Sequence, residues 1–155
     1  MNQIKVKKIY LGADHAGFGQ KEYMKRFLNE INCSFEDLGT DSFAAYDYPD
    51  IAEKVCLKVQ NDPDSYGLII CGSGVGVTIA ANKFRGIRAA LVDRKDLAYY
   101  AVAHDKANVL CLSSRFTSFI ENTEITQTFL TTEFEAGRHC ARIEKIEKLE
   151  EKNGK

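Results

Sequence analysis

The chain has 155 residues and a formal net charge of −1, from 22 acidic and 21 basic residues that are interspersed along it. That length holds one domain with a proper core, and that balance offers neither a nucleic-acid groove nor a membrane-binding face. Five scattered cysteines (Cys33, Cys56, Cys71, Cys111, Cys140) include no Cys-x-x-Cys pair, and no apolar stretch reads as a bilayer span or signal peptide. The expectation is a single domain over 1–155, reduced and cytoplasmic, without zinc or a disulfide framework.

A first strand is predicted over 8–13, after Lys7. It runs into Gly12-Ala13-Asp14-His15-Ala16-Gly17-Phe18-Gly19, a glycine-bearing turn that opens a helix with Tyr23, Phe27, Leu28 and Ile31 on its apolar stripe. Asp14 reads either as a helix cap or as a site acid. His15 reads either as a solvated loop residue or as part of that site. Residues 33–38 form a second strand, and 39–46 a polar loop without periodicity. Asp47-Tyr48-Pro49-Asp50 opens a helix with Ile51, Val55 and Val59 on its buried side, proline being tolerated there. Tyr48 either faces a ligand or packs as a staple.

Residues 67–92 are the centre of the chain. Leu68, Ile69 and Ile70 make an unbroken apolar run, as a strand covered on both faces does. Cys71-Gly72-Ser73-Gly74-Val75-Gly76 follows, and its three glycines let the backbone turn tightly and approach a ligand. Val77, Ile79, Ala80, Ala81 and Phe84 then have helical spacing, Gly86 stops the helix, and a strand covers 87–92. Loop amides and a helix N-terminus attract anions, and the same field favours a thiolate. Cys71 therefore reads as a base or nucleophile beside a bound anion, or as a small apolar residue finishing a buried strand.

A helix over 93–103 leads to His104, Asp105 and Lys106, then a strand over 108–112, then Ser113-Ser114-Arg115 and a helix over about 117–135. Gly137-Arg138-His139-Cys140-Ala141-Arg142 opens a last, highly charged helix that ends near 152. Arg138 and Arg142 share one helical face. They either grip one phosphate together or form a solvated surface.

Five strands alternating with helices specify an α/β protein: a three-layer α/β/α sandwich around a five-stranded parallel, Rossmann-like sheet. Ligands in such folds bind at the carboxyl ends of the strands, where Asp14, His15, residues 71–76 and Arg115 fall. His104 precedes its strand and so lies at the opposite edge. It joins the same site only from another subunit. The dinucleotide fingerprint fails at Val77, the phosphate-loop pattern fails at Phe18, and no His-Glu-x-x-His occurs.

Taken together, these stretches resemble the type B ribose-5-phosphate isomerases and their galactose-6-phosphate and allose-6-phosphate relatives. The matching segments are Gly12–Phe18, Asp47-Tyr-Pro49, Cys71–Gly76, Ile79–Lys83 with Gly86-Ile-Arg88, His104 with Asn108-Val-Leu110, and Gly137-Arg-His139 with Arg142. They run in the family's order from about residue 8 to 146.

The resemblance implies aldose–ketose isomerisation of a phosphorylated sugar without metal or organic cofactor. Cys71 would move the proton between the first two sugar carbons. Ser73 and the amides of Gly72, Gly74 and Gly76 would hold the enediolate. His104, with Asp14, would open the furanose ring. His15, Arg115, Arg138 and Arg142 would hold the phosphate, and Tyr48 would line the sugar pocket. The resemblance also implies a homodimer with a shared site, the last helix from about 138 contacting the partner; pairing of dimers into tetramers stays open.

Two positions depart from the family's pattern. Asp105 stands where Asn is usual and Ser113 where glycine is usual. A carboxylate at 105 is repelled by an enediolate unless it is protonated or paired with an arginine. Ribose 5-phosphate is the leading substrate, a hexose 6-phosphate the alternative, and a non-catalytic sugar-phosphate sensor the alternative from another class.

Overall fold

The structure, a computed structural model, describes residues 3–154. Five strands, β1 (Lys8–Ala13), β2 (Phe35–Asp37), β3 (Ser65–Cys71), β4 (Ala89–Leu91) and β5 (Val109–Ser113), form an all-parallel sheet in the order β2-β1-β3-β5-β4. Six helices flank it: α1 (Phe18–Glu30), α2 (Tyr48–Gln60), α3 (Val75–Ala81), α4 (Lys95–Ala103), α5 (Phe119–Thr131) and α6 (Arg138–Lys152).

Register explains why the central strands are apolar throughout. Leu11 pairs with Leu68 and Leu68 with Leu110, so this row points to one face. Ile69 pairs with Cys111 and points to the other. On the first face Ile9, Leu11, Ile70 and Leu112 meet Met24 and Leu28 of α1, Val102 of α4, and Ile125 and Phe129 of α5. On the second, Tyr10, Ile69, Cys71 and Cys111 meet Ile51 and Val55 of α2 and Val77 and Ala81 of α3. Each fully buried Leu or Ile contributes about 1.5–3 kcal/mol, so both faces must be covered. The three-layer α/β/α expectation holds.

The edge strands are shorter than the sequence suggests. β2 covers 35–37 rather than 33–38, and β4 covers 89–91 rather than 87–92. Each pairs on one side only, β2 with β1 and β4 with β5. The last predicted long helix also contracts. α5 starts after Ser118, whose side chain accepts from the Glu121 amide in a reciprocal capping box, and it ends where Thr132 turns extended.

Two apolar assignments move to the surface: Tyr23 is 37% exposed and Ile79 is 59% exposed. α1 instead buries Lys21 completely, and its ammonium pairs with Asp37 at 2.5 Å and Glu22 at 2.9 Å. A charge so enclosed is tolerable only because it is paired.

All strands being parallel, Ala13, Cys71 and Ser113 end along one edge of the sheet. α4 ends at His104 along the other. α6 lies beyond β4, largely exposed, with Ile143 buried and the Glu150 carboxylate accepting from the Gly86 amide at 3.1–3.2 Å. Among the described residues, no helix is long and apolar enough to cross a membrane.

Candidate active site

Cys71 is the last residue of β3 and is 4% exposed. Cys71 lines a hollow of about 210 Å³ together with Asp14, His15, Tyr48, Gly72, Ser73, Gly76 and Arg115. The residue is thus nearly buried, yet it borders solvent-reachable space. The Gly74 amide donates to Sγ at 3.1 Å. Gly74 can aim that amide because it holds φ +78°, a left-handed conformation that glycine adopts freely. This use of the Gly74 N–H directs it at sulfur rather than at a sugar oxygen.

Two more glycines make room for side chains. A Cβ on Gly72 would stand 3.0 Å from the Arg115 guanidinium carbon, and one on Gly76 would stand 2.8 Å from the Tyr48 ring. Tyr48, the first residue of α2, therefore faces the loop instead of packing as a staple. The Ser73 hydroxyl oxygen accepts from the Val75 amide at 3.2 Å, which leaves its proton to donate outward.

The turn after β1 supplies the acid and the imidazole. Asp14 is 7% exposed, and its Oδ1 accepts from the Gly17 amide at 3.0 Å. Asp14 is not the helix cap: α1 is capped by Gly17 without a side-chain bond, and the Asp14 carboxylate closes the turn before it while the residue lines the hollow. The Tyr46 amide donates to His15 Nδ1 at 3.1 Å. The same Nδ1 lies 3.3 Å from the Tyr46 carbonyl oxygen, so the neutral ring either accepts from the amide with its proton on Nε2 or donates to the carbonyl with its proton on Nδ1.

The remaining residues singled out by sequence lie elsewhere. His104 caps the C-terminus of α4, and β5 alone, five residues long, puts about 13 Å between the two edges. His104 stacks on His139 with ring centroids 4.1 Å apart. Arg138 and Arg142 stand on the first turns of α6, with Arg138 Nε 3.5 Å from His139 Nε2. Burial, then the charges of His104, Arg138 and Arg142, hold the His139 imidazole below its ordinary pKa, against the opposing pull of Glu135. Asp105 is exposed and lines a different hollow, of about 560 Å³, between β4 and α6.

Three of the other cysteines are buried thiols held in the protonated form. Burial pushes Cys56 and Cys111 up to about 12. It pushes Cys33, beside a hollow of about 570 Å³ near the chain's start, up to about 11.

The sequence profile of the Ribose/Galactose Isomerase family matches residues 9–146. The chain belongs to the ribose/galactose isomerase family. It is 46% identical over 144 residues to a probable ribose-5-phosphate isomerase B of Mycoplasma genitalium, covering 92% of this chain and 95% of that one. It is 38% identical to the ribose-5-phosphate isomerase B of Escherichia coli, covering 95% and 99%. Among solved structures, ribose-5-phosphate isomerase B of Clostridium thermocellum superposes with a TM-score of 0.92 at 38% identity, covering 94% and 99%. The Mycoplasma genitalium enzyme with bound ribulose-5-phosphate superposes at 0.89 with 45% identity, covering 93% and 96%.

Within this member of the ribose/galactose isomerase family, the sequence reading missed three things. Ser113 and Ser114 act as tethers: Ser113 Oγ donates to Gly72 O at 2.7 Å, and Ser114 Oγ donates to Ala16 O at 2.8 Å. Glu135 reaches both imidazoles of the opposite edge. Tyr99 holds Glu135, its hydroxyl donating to Oε1 at 2.5 Å. The four-residue spacing of Glu135 and His139 was the one local signal; the other contacts are long-range.

Proposed function

We propose that the protein interconverts ribose 5-phosphate and ribulose 5-phosphate in the non-oxidative pentose phosphate route, in a site completed by a second copy of the chain. The observation that carries the reading is Cys71, whose Sγ accepts from the Gly74 amide and which lines one hollow with Asp14, His15 and Arg115. Family membership supports the same reaction class. Ligand pockets commonly enclose about 300–1,000 Å³, so a hollow of about 210 Å³ fits half a site better than a whole one.

Ring opening comes first. His104 of the second copy takes the proton from the anomeric O1 hydroxyl, the C1–O4 bond breaks as the C1 carbonyl forms, and the imidazolium returns that proton to O4, with Asp14 beside the ring. His15, through Nε2–H, and the Arg115, Arg138 and Arg142 guanidiniums hold the phosphate. The Cys71 thiolate then removes the proton from C2 of the open aldose. The C–H electron pair forms the C1–C2 double bond, and the carbonyl pair moves onto O1. The Ser73 hydroxyl and the loop amides of Gly72 and Gly76 stabilise that oxyanion. The thiol returns its proton to C1, the O2 hydroxyl proton passes to O1, and C2 becomes the carbonyl. No electron leaves the substrate, so the sequence of steps requires no redox partner.

The experiment is a substrate panel with purified protein and a chelator: ribose 5-phosphate, allose 6-phosphate and galactose 6-phosphate. Fastest turnover of ribose 5-phosphate is expected. A faster six-carbon phosphate replaces the sugar assignment, and no turnover of any of them overturns the reading in favour of a sensor.

A further inference from the structure

One ligand atom from each of His104, Glu135 and His139 falls within 4.8 Å of the others. Glu135 Oε2 stands 3.5 Å from His104 Nε2 and 3.8 Å from His139 Nε2. Metal–ligand bonds of about 2.0–2.2 Å at tetrahedral angles separate ligand atoms by about 3.4 Å. The spacing of Glu135 Oε2 from the two imidazole nitrogens is therefore already close to what one shared ion needs.

The supporting shell is also in place. Tyr99 occupies Glu135 Oε1, so Oε2 alone faces the rings. The Glu135 amide donates to Ala103 O at 2.9 Å, which fixes the backbone beside His104. Between Glu135 and His139 the chain bends through Ala136 at φ +55°, a region costly for a residue with a side chain. Such strain persists where surroundings over-determine a local arrangement.

We propose that His104, Glu135 and His139 form a binding site for a divalent transition metal of the zinc class, and that filling it silences His104. Two imidazoles and one carboxylate suit zinc or cobalt and not the oxygen-seeking magnesium or calcium. Three protein ligands leave a fourth position for water. The stacked rings, 21° from parallel, must fan apart so that both lone pairs converge. The exposed Arg138 must withdraw from His139 Nε2. The charges of Arg138 and Arg142 oppose the incoming ion and weaken its binding. The metal is an inhibitor there and no part of the isomerisation. Once His104 Nε2 is coordinated, it can neither take nor give a proton. The silencing rests on the isomerase reading; the metal site does not.

The test is titration of metal-free protein with cobalt chloride, followed by visible absorption. One cobalt per chain is expected, with a four-coordinate spectrum, no thiolate charge-transfer band, and displacement by zinc chloride. Glu135→Gln, which removes a ligand, weakens binding at least 100-fold, and Tyr99→Phe, which frees the second oxygen, weakens it about 10-fold. Absence of saturable binding by the unaltered protein, a thiolate band, or equal affinity in Glu135→Gln overturns the site. Zinc chloride lowers turnover of ribose 5-phosphate at least tenfold, and EDTA restores it; undiminished turnover of the metal-loaded protein overturns the silencing. A chain that binds cobalt as described but converts none of the sugar panel rejects the isomerase reading and keeps the metal site.

Discussion

At the carboxyl edge of the sheet, backbone holds the chemistry. The Gly74 amide meets Cys71 Sγ, the Ser114 amide meets Cys71 O at 2.9 Å, and the Arg115 amide meets Gly72 O at 3.0 Å. At the amino edge, the imidazoles, the carboxylate and the guanidinium beside them meet through side chains. Two imidazoles stack at 4.1 Å, an exposed glutamate faces both, and exposed guanidiniums stand beside them. The difference teaches how the labour is divided. The thiol's end is pre-organised within one chain and needs no partner for its geometry. On the proposed reading, the histidine end gains its task only when a second copy arrives, and until then its nitrogens and carboxylate oxygen face one another.

That contrast can be broken in four ways. The largest effect falls on the thiol. Cys71→Ala lowers kcat roughly 10³-fold, within the usual worth of a proton-transferring group, while ribulose 5-phosphate binding by calorimetry survives. Unchanged turnover removes the thiol base. The second test asks whether the two edges serve one site. Cys71→Ala and His104→Asn chains are each nearly inactive, but co-refolding them in equal amounts restores about one quarter of normal activity, because half the dimers are mixed and each has one intact site. No recovery separates the edges into different sites.

The third concerns the scaffold. Gly74→Ala places a Cβ 2.4 Å from Leu91 Cδ1 at a left-handed φ, and thermal unfolding should register a loss of about 1–3 kcal/mol. Full stability there means the loop relaxes and the amide is not fixed on sulfur. The smallest effect belongs to Asp105. Exposed and outside the Cys71 hollow, it tolerates Asp105→Asn with turnover kept or raised, by no more than about fivefold. A large loss in steady-state assays places its carboxylate in the chemistry.

The sheet was legible because its apolar runs are strong. β1 has the bounds the sequence predicts, 8–13, and the central strands follow from their burial on both faces. Edge strands were overrun, since pairing stops before apolar residues do. Lys21 was unreadable as a core residue, because its neutralising Asp37 lies sixteen positions away and only the fold brings them together. In the site, glycines announced Cys71, and chain order alone separated His104 from it. Glu135 carried one local signal, its four-residue spacing from His139, but a glutamate and a tyrosine 36 positions apart carry no local mark of their 2.5 Å contact.

Ser113 and Ser114 have a consequence for how the protein fails when heated. Their hydroxyls and amides stitch the turns after β1, β3 and β5 to one another, so none of the three can fray alone. The reactive sulfur's surroundings then open only when β3 parts from β5. Activity lost on warming should track the cooperative melting of the whole molecule, with deuterium uptake at 114 and 115 as slow as in the innermost strands.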